Sequence, residues 1–262
     1  MYNNRHTSDL FCEQFGAAEP QHDAHVEKIS LFGIDAYRGT VSDKSPRAGD
    51  YVTVDCGPMW HASFDPEPVI RAVAEAINTL APCTHKPPRV LVCALGNAAV
   101  AADSVGSRAA DRILVLDGTA SSHLPTTYLL RPGVGAATGI SAARHVEAVS
   151  ERLGVTLVIC IDALVAGTAH RLGSLVQITN VGISPGSGVS EHTESVTPHV
   201  LGIPVISLGV PTVMRAPFPD AEGELYTIAQ VERLALTAGA LIGGAVNLYF
   251  TKHLRDEDTF GC

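Results

Sequence analysis

Apolar and polar positions along the 262-residue chain change rhythm several times, and each change predicts an element. Tyr51-Val-Thr-Val-Asp55 alternates, as a strand with one buried face does. From Pro66 the period lengthens. Val69, Val73, Ile77 and Leu80 recur at helical spacing, with Asp65 placed to cap the helix and Pro66 suited to its first turn. Four short apolar runs without alternation follow: Arg89–Leu95, Ile113–Leu116, Val155–Ile161 and Ile203–Leu208. Such runs fit strands buried on both faces. Helical stretches are expected over Ser104–Arg112 and Ser141–Leu153, with a further strand at Ser174–Thr179 and a long closing helix over Ile228–His253. Gly239, Gly243 and Gly244 in that last helix cost helix propensity and suggest close packing on the sheet.

Alternating strands and helices predict an α/β fold, a mainly parallel twisted sheet flanked by helices. Residues 1–48 read as an irregular polar segment, and 49–262 as a single α/β domain.

Composition narrows the classes. Hydrophobic residues make up 46% of the chain and charged residues 17%, enough apolar material for one large core. The formal net charge of −9 argues against a basic face that grips nucleic acid directly. No run of 18 apolar residues is present and the first 23 residues have no apolar signal core, so neither a span nor a leader is expected. Six scattered cysteines with no CxxC fit free thiols in a reducing cytoplasm.

Ligands of open α/β sheets collect where strands end, which singles out three loops. The first runs from Gly96-Asn97 to Asp103, the second starts at Asp162, and the third is Gly182–Gly188. Asp162 follows an apolar strand, so its carboxyl is expected to be partly desolvated; from the spacing alone a helix cap is the favoured reading. Asp103, alone, also reads as a cap. Gly182-Ile-Ser184-Pro-Gly186 fits a G-x-S-x-G hydrolase elbow in letters only. Pro185 has no N–H to give an oxyanion, and no helix follows. Gly133-Val-Gly135-Ala-Ala-Thr-Gly139 approaches a dinucleotide fingerprint with its third glycine one residue late. His22, Asp23 and His25 lie close in sequence without a metal-site motif around them, and no metal is expected.

Taken in order, these segments resemble the spore germination protease family. Ala94-Leu-Gly-Asn97 with Asp103, Arg131-Pro-Gly-Val134 with Thr138-Gly-Ile140, Ile161–Ala166, Val181–Val189 and Leu201–Val213 match five family motifs. Asp9-Leu10 and Glu13 match a sixth near the start, and the closing helix through Asn247 is also similar. Gly167, Asn180-Val181, Ser184 and Ala98–Ala102 depart from the family pattern.

The resemblance implies an aspartic-type endopeptidase related in fold to hydrogenase maturation proteases. It implies a cytoplasmic enzyme of the spore core that degrades small acid-soluble spore proteins during germination. It further implies a zymogen and a homotetramer, with no cofactor, no membrane and no direct contact with nucleic acid. By motif, Asp103 and Asp162 are the catalytic pair. Asn97, Arg131, Gly133, Gly135, Gly182, Gly186, Ser187 and Gly188 are the candidate substrate-binding set. Arg131 reads equally as a partner for an acidic substrate side chain and as a structural ion pair. Two alternatives remain. One is a metal-dependent processing protease of the hydrogenase-maturation kind, in which His123, His170 or His199 joins the aspartates. The other is a non-catalytic binding protein on the same fold.

Overall fold

The computed structural model describes residues 8–14, 24–42, 45, 47–82, 88–118, 124–186, 194–216 and 224–252. Among the described residues nine strands form one sheet: β1 (Ala24–Leu31), β2 (Ile34–Val41), β3 (Gly49–Asp55), β4 (Arg89–Ala94), β5 (Thr126–Leu130), β6 (Leu157–Ala166), β7 (Leu175–Thr179), β8 (Val205–Arg215) and β9 (Leu225–Tyr226). Their order is β1-β2-β3-β7-β8-β6-β4-β5, with β9 paired to β8.

The sheet is mixed rather than mainly parallel. β5, β4, β6 and β8 run parallel to their neighbours in that group, whereas β8–β7, β7–β3, β3–β2, β2–β1 and β8–β9 are antiparallel. Chain length explains part of this. Only residues 167–174 separate β6 from β7, too few for the crossover that a parallel return requires.

Two sequence expectations fail here. The segment 1–48 is not irregular where it is described. Ala24–Val41 forms a hairpin continuous with the main sheet, and Phe11–Gln14 forms a short helix, α1. Ile113–Leu116 is not a strand. It flanks the edge strand β5, where the Thr127 N–H donates to Leu116 O at 2.9 Å, and it leaves Leu114 and Val115 exposed.

Helices cover the sheet unevenly. On one face lie α2 (Pro66–Leu80), α3 (Val105–Ala110) and α7 (Val231–Lys252), which share the largest core cluster with Ile159, Ile161, Ile206 and Leu208. The Asp65 side chain caps α2, and Pro66 occupies its first turn. By length and composition α7 alone among the described helices is apolar enough to cross a membrane; most of it is buried against α2, α3 and the sheet. Its glycines meet other helices rather than the sheet: Gly239 and Gly243 face α3 and the residues just after it, and Gly244 faces Ile70 of α2. A Cβ on Gly239 would stand 2.4 Å from the Cβ of Arg108 and 2.8 Å from Ala109 N.

The opposite face is covered by α5 (Ala142–Leu153), capped by Ser141 at its start and closed by Gly154 in the left-handed region. It packs on Leu91, Cys93, Val158 and Cys160. Two four-residue helices complete the set, α4 (Gly135–Thr138) and α6 (Pro198–Leu201). Cys12, Cys56, Cys93 and Cys160 are free thiols.

Candidate active site

Asp162 does not end its strand. β6 runs on through Ala166, so the carboxylate sits inside a ten-residue strand, opposite Gly209 of β8. Neither a strand end nor a helix cap describes it. The residues after it, Ala-Leu-Val-Ala, extend the strand because Leu164 and Ala166 enter a second apolar cluster with Leu10, Leu172, Leu175 and Met214.

The edge of β6 facing β4 explains how an acid can be used at this depth. Alternate residues of a strand present their N–H and C=O to the same edge. On this edge Ile161 O accepts the Leu95 N–H at 2.9 Å, just beyond the end of β4. Two positions on, no described strand pairs with Ala163 on this edge. Its N–H is taken by the Asp162 side chain, through Oδ1 at 2.9 Å. Two positions further, Val165 is occupied again, by Asp9 of the N-terminal segment. The sheet therefore has a one-residue gap, and the Asp162 carboxylate is folded back onto it.

The chain carrying Asp103 leaves the sheet beside the same gap. Gly96 follows Leu95 with φ +90°, a conformation other residues avoid, and a Cβ there would lie 2.2 Å from Asp103 O. The turn that follows brings Asp103 back, and its Oδ2 accepts the Asn97 N–H at 2.8 Å. Asp103 closes a short 3₁₀ turn, Ala101–Asp103, ahead of α3. Behind it, α3 presses on the strands at Gly106, where a Cβ would be 2.3 Å from Leu95 O and 2.6 Å from Ile161 O.

Electrostatics separates the two acids. Asp162 is 6% exposed, and burial, followed by the charge of Asp103, pushes its carboxyl up to about 8. The Ala163 N–H opposes this and the charge of Asp9 adds to it. Asp103 is also raised by burial, against the pull of the Asn97 N–H. The influence is one-sided because Asp103 ionises first. The acid that titrates second feels a full neighbouring charge, whereas the first faces a neutral partner. Of the two, Asp162 is the acid that holds its proton to higher pH.

Other expected site residues divide into three groups. Asn97 supplies the N–H to Asp103. Gly182 and Gly186 have positive φ in a loop anchored by the Ile183–Val196 bridge, and Ile183 packs against both apolar clusters that flank Asp162. Arg131 pairs with Asp111 at 2.8 Å on the surface, and Gly133 and Gly135 shape the turn into α4. Ser187 and Gly188 lie outside the described residues, as do His123, His22 and Asp23. His170 belongs to a turn at Ala169–Arg171 and His199 to α6. Among the described residues no group of three or more His, Cys, Asp or Glu is arranged to hold a metal. Ser184 is bonded to Ser195, 2.7 Å away, and precedes a proline.

Two supports of the site carry no signal of their own in the sequence. Thr212 is the extra residue of a bulge in β8, opposite the Leu164/Val165 step of β6. It is fully buried, and its hydroxyl donates to Ala102 O at 2.5 Å, one residue before Asp103. Gln177 of β7 holds the N-terminal segment. Its amide donates to Asp9 O at 3.1 Å and its carbonyl accepts the Phe11 N–H at 2.6 Å.

An α/β sheet with one buried and one partly buried carboxyl at a gap in one strand edge is an arrangement suited to a hydrolase. Comparison with known proteins makes the class specific. The chain belongs to the germination protease family, a peptidase family whose model matches residues 15–220. It is 38% identical over 197 residues to the germination protease of Caldanaerobacter subterraneus subsp. tengcongensis, covering 72% of this chain and 60% of that one. It is 29% identical over 226 residues to that of Clostridium perfringens strain SM101, covering 82% of this chain and 67% of the relative. With the Bacillus velezensis germination protease the identity is 28% over 260 residues, covering 94% and 70%. The chain thus spans between about three fifths and seven tenths of these relatives. Among solved structures, the [NiFe] hydrogenase maturation protease HycI from Thermococcus kodakarensis KOD1 matches with a TM-score of 0.39 and 16% identity. That match covers 62% of this chain and 94% of HycI.

Proposed function

We propose that this chain is a germination endopeptidase that cleaves small acid-soluble spore proteins with Asp103 and Asp162 as a water-activating pair. The observation that carries the reading is the placement of Asp162, a buried carboxyl inside a strand and folded onto its open edge, where burial and then the charge of Asp103 push it up to about 8.

The chemistry then follows from which acid holds the proton. Ionised Asp103 accepts a proton from water as the water oxygen attacks the peptide carbonyl carbon. The tetrahedral intermediate collapses, Asp162 delivers its proton to the departing amine nitrogen, and the C–N bond breaks. The proton taken up by Asp103 restores the starting state once it passes to Asp162. Backbone N–H groups of the loops at 133–139 and 182–186 supply donors for the carbonyl oxygen or the extended substrate. In this reading the enzyme is made as a zymogen, works as a tetramer in the spore core, and uses no cofactor.

Purified Asp103→Asn and Asp162→Asn proteins, incubated with a small acid-soluble spore protein and followed by mass spectrometry, test this. Both should fold and neither should cleave. Cleavage at the wild-type rate by either variant contradicts the pair.

A further inference from the structure

The N-terminal segment Ser8–Gln14 has no part in the reaction just described, yet it is tied to the same strand edge. The Asp9 N–H donates to Val165 O at 2.9 Å, and Asp9 Oδ2 accepts the Val165 N–H, also at 2.9 Å. Gln177 fixes the segment from β7. Glu13 fixes it from the other end. Its carboxylate accepts the Gly167 N–H at 2.6 Å and the Thr168 hydroxyl at 2.5 Å, and is also bonded by Ser8. Asp9 therefore sits where β4 would continue if it resumed after the gap at Ala163.

This placement puts Asp9 on the far side of Asp162 from the loop of Asp103. Asp162 is bonded to the Ala163 N–H and Asp9 to the Val165 N–H, two residues apart on one edge, a separation of about 6–7 Å along a strand. We propose that Asp9 is a positioning residue for this site, a third carboxylate that closes the far end of the open edge of β6 and acts on the reaction through Asp162. The proposal rests on the reading of Asp103 and Asp162 as the working pair.

The groups around Asp9 settle the sign. Burial raises its carboxyl, whereas the Val165 N–H from β6, Arg47 ahead of β3 and Arg215 at the end of β8 lower it. Glu13 is the other acid of its own segment, and its carboxylate is held by Gly167 and Thr168. Burial is the largest of these influences, so the Asp9 carboxyl lies above its ordinary value, and the two cations oppose that rise. The charge of Asp9 in turn makes Asp162 harder to ionise, in the same direction as Asp103 does. Asp9 needs no contact with substrate for this effect.

The test is the pH dependence of kcat/KM for cleavage of a small acid-soluble spore protein by Asp9→Asn. The amide oxygen of asparagine can still accept the Val165 N–H, so the segment stays docked while the charge is lost. The limb where activity falls with rising pH should move down by about half a unit, a loss of about threefold at pH values above that limb. The acid limb and KM should be unchanged, and Asp9→Glu should return the limb toward its wild-type position. Asp9→Thr, whose hydroxyl can take the same N–H, is a second uncharged variant in case asparagine impairs folding. A parallel carboxyl-13C NMR titration of Asp162 reads the same shift without catalysis, so an inactive protein still tests Asp9. Superimposable profiles and midpoints for wild type and the uncharged variants overturn the proposal. So does loss of folding in both, which makes Asp9 a structural clip only. If Asp103→Asn or Asp162→Asn stays active, the underlying pair falls instead, whatever Asp9 does.

Discussion

The hydroxyl of Thr212 donates to Ala102 O at 2.5 Å, tying the bulge of β8 to the turn that delivers Asp103. The bulge creates this contact. A regular β8 would have no residue to spare at this step, because Pro211 and Val213 already face Leu164 and Val165. One acid therefore sits in its own strand, and the turn that carries the other is tied down by a bond from the neighbouring strand.

Thr212→Val should separate placement from folding. The substitution keeps the shape and leaves Ala102 O without its donor, at a cost of about 1–3 kcal/mol. Thermal unfolding should show that loss. Steady-state cleavage should show a fall in kcat with little change in KM, because the turn bearing Asp103 relaxes. An unchanged kcat would mean that the bond supports the core alone.

Gly106 should tolerate almost nothing. A Cβ at 2.3 Å from Leu95 O must push α3 off the sheet, and overpacking of this kind costs about 1–3 kcal/mol. Gly106→Ala is expected to lower the melting temperature and to reduce activity, since Leu95 and Ile161 border the gap at Ala163. Gly202 is a useful control for the crowding alone, because nothing lies within 4 Å of a Cβ there, although its positive φ carries its own strain.

Stability should fall as pH rises through the range that Asp162 spans. Its carboxyl titrates near 3.8 when unfolded and is pushed up to about 8 when folded. Between those values the folded protein binds the extra proton, so unfolding is disfavoured most at the acid end and the advantage is lost as pH approaches 8. The full effect is on the order of several kcal/mol, shared with the coupled Asp103. Denaturant melts of wild type and Asp162→Asn across pH 5–9 should converge at low pH and diverge at high pH, with the asparagine variant more stable there. Parallel curves would place the proton elsewhere.

Activity should follow a bell against pH. The acid limb reports protonation of Asp103, whose carboxyl burial raises, and the alkaline limb reports loss of the Asp162 proton near 8. Asp103→Glu should move the acid limb more than the alkaline one. A profile flat from pH 5 to 9 would exclude a shared proton.

Much of the fold could be read from the sequence where apolar runs are long and double-sided, as at Arg89–Ala94, or where caps and period agree, as at Asp65–Leu80. Legibility stops where tertiary partners decide. Ile113–Leu116 has a strand's composition but serves as a flank to β5. β1 is exposed along most of its length and its turn is Phe32-Gly33, with Phe32 at φ 52°, so neither alternation nor a familiar turn pair announces the hairpin. At the site, both aspartates were marked by the loops around them, yet Asp162 reads as a strand end because Ala163–Ala166 is equally apolar as helix or strand. The bulge at Thr212 and the docking of Asp9 on Val165 depend on register between distant strands, which no local pattern encodes.

The proposed mechanism needs a single proton residing on Asp162 because Asp103 carries charge beside it. A carboxyl-13C NMR titration with the Asp162 signal assigned by Asp162→Asn, repeated in Asp103→Asn, measures this directly. The expected result is a midpoint near 8 in the wild type that drops when Asp103 loses its charge. A wild-type midpoint in the ordinary carboxylate range, or one unmoved by Asp103→Asn, would contradict it.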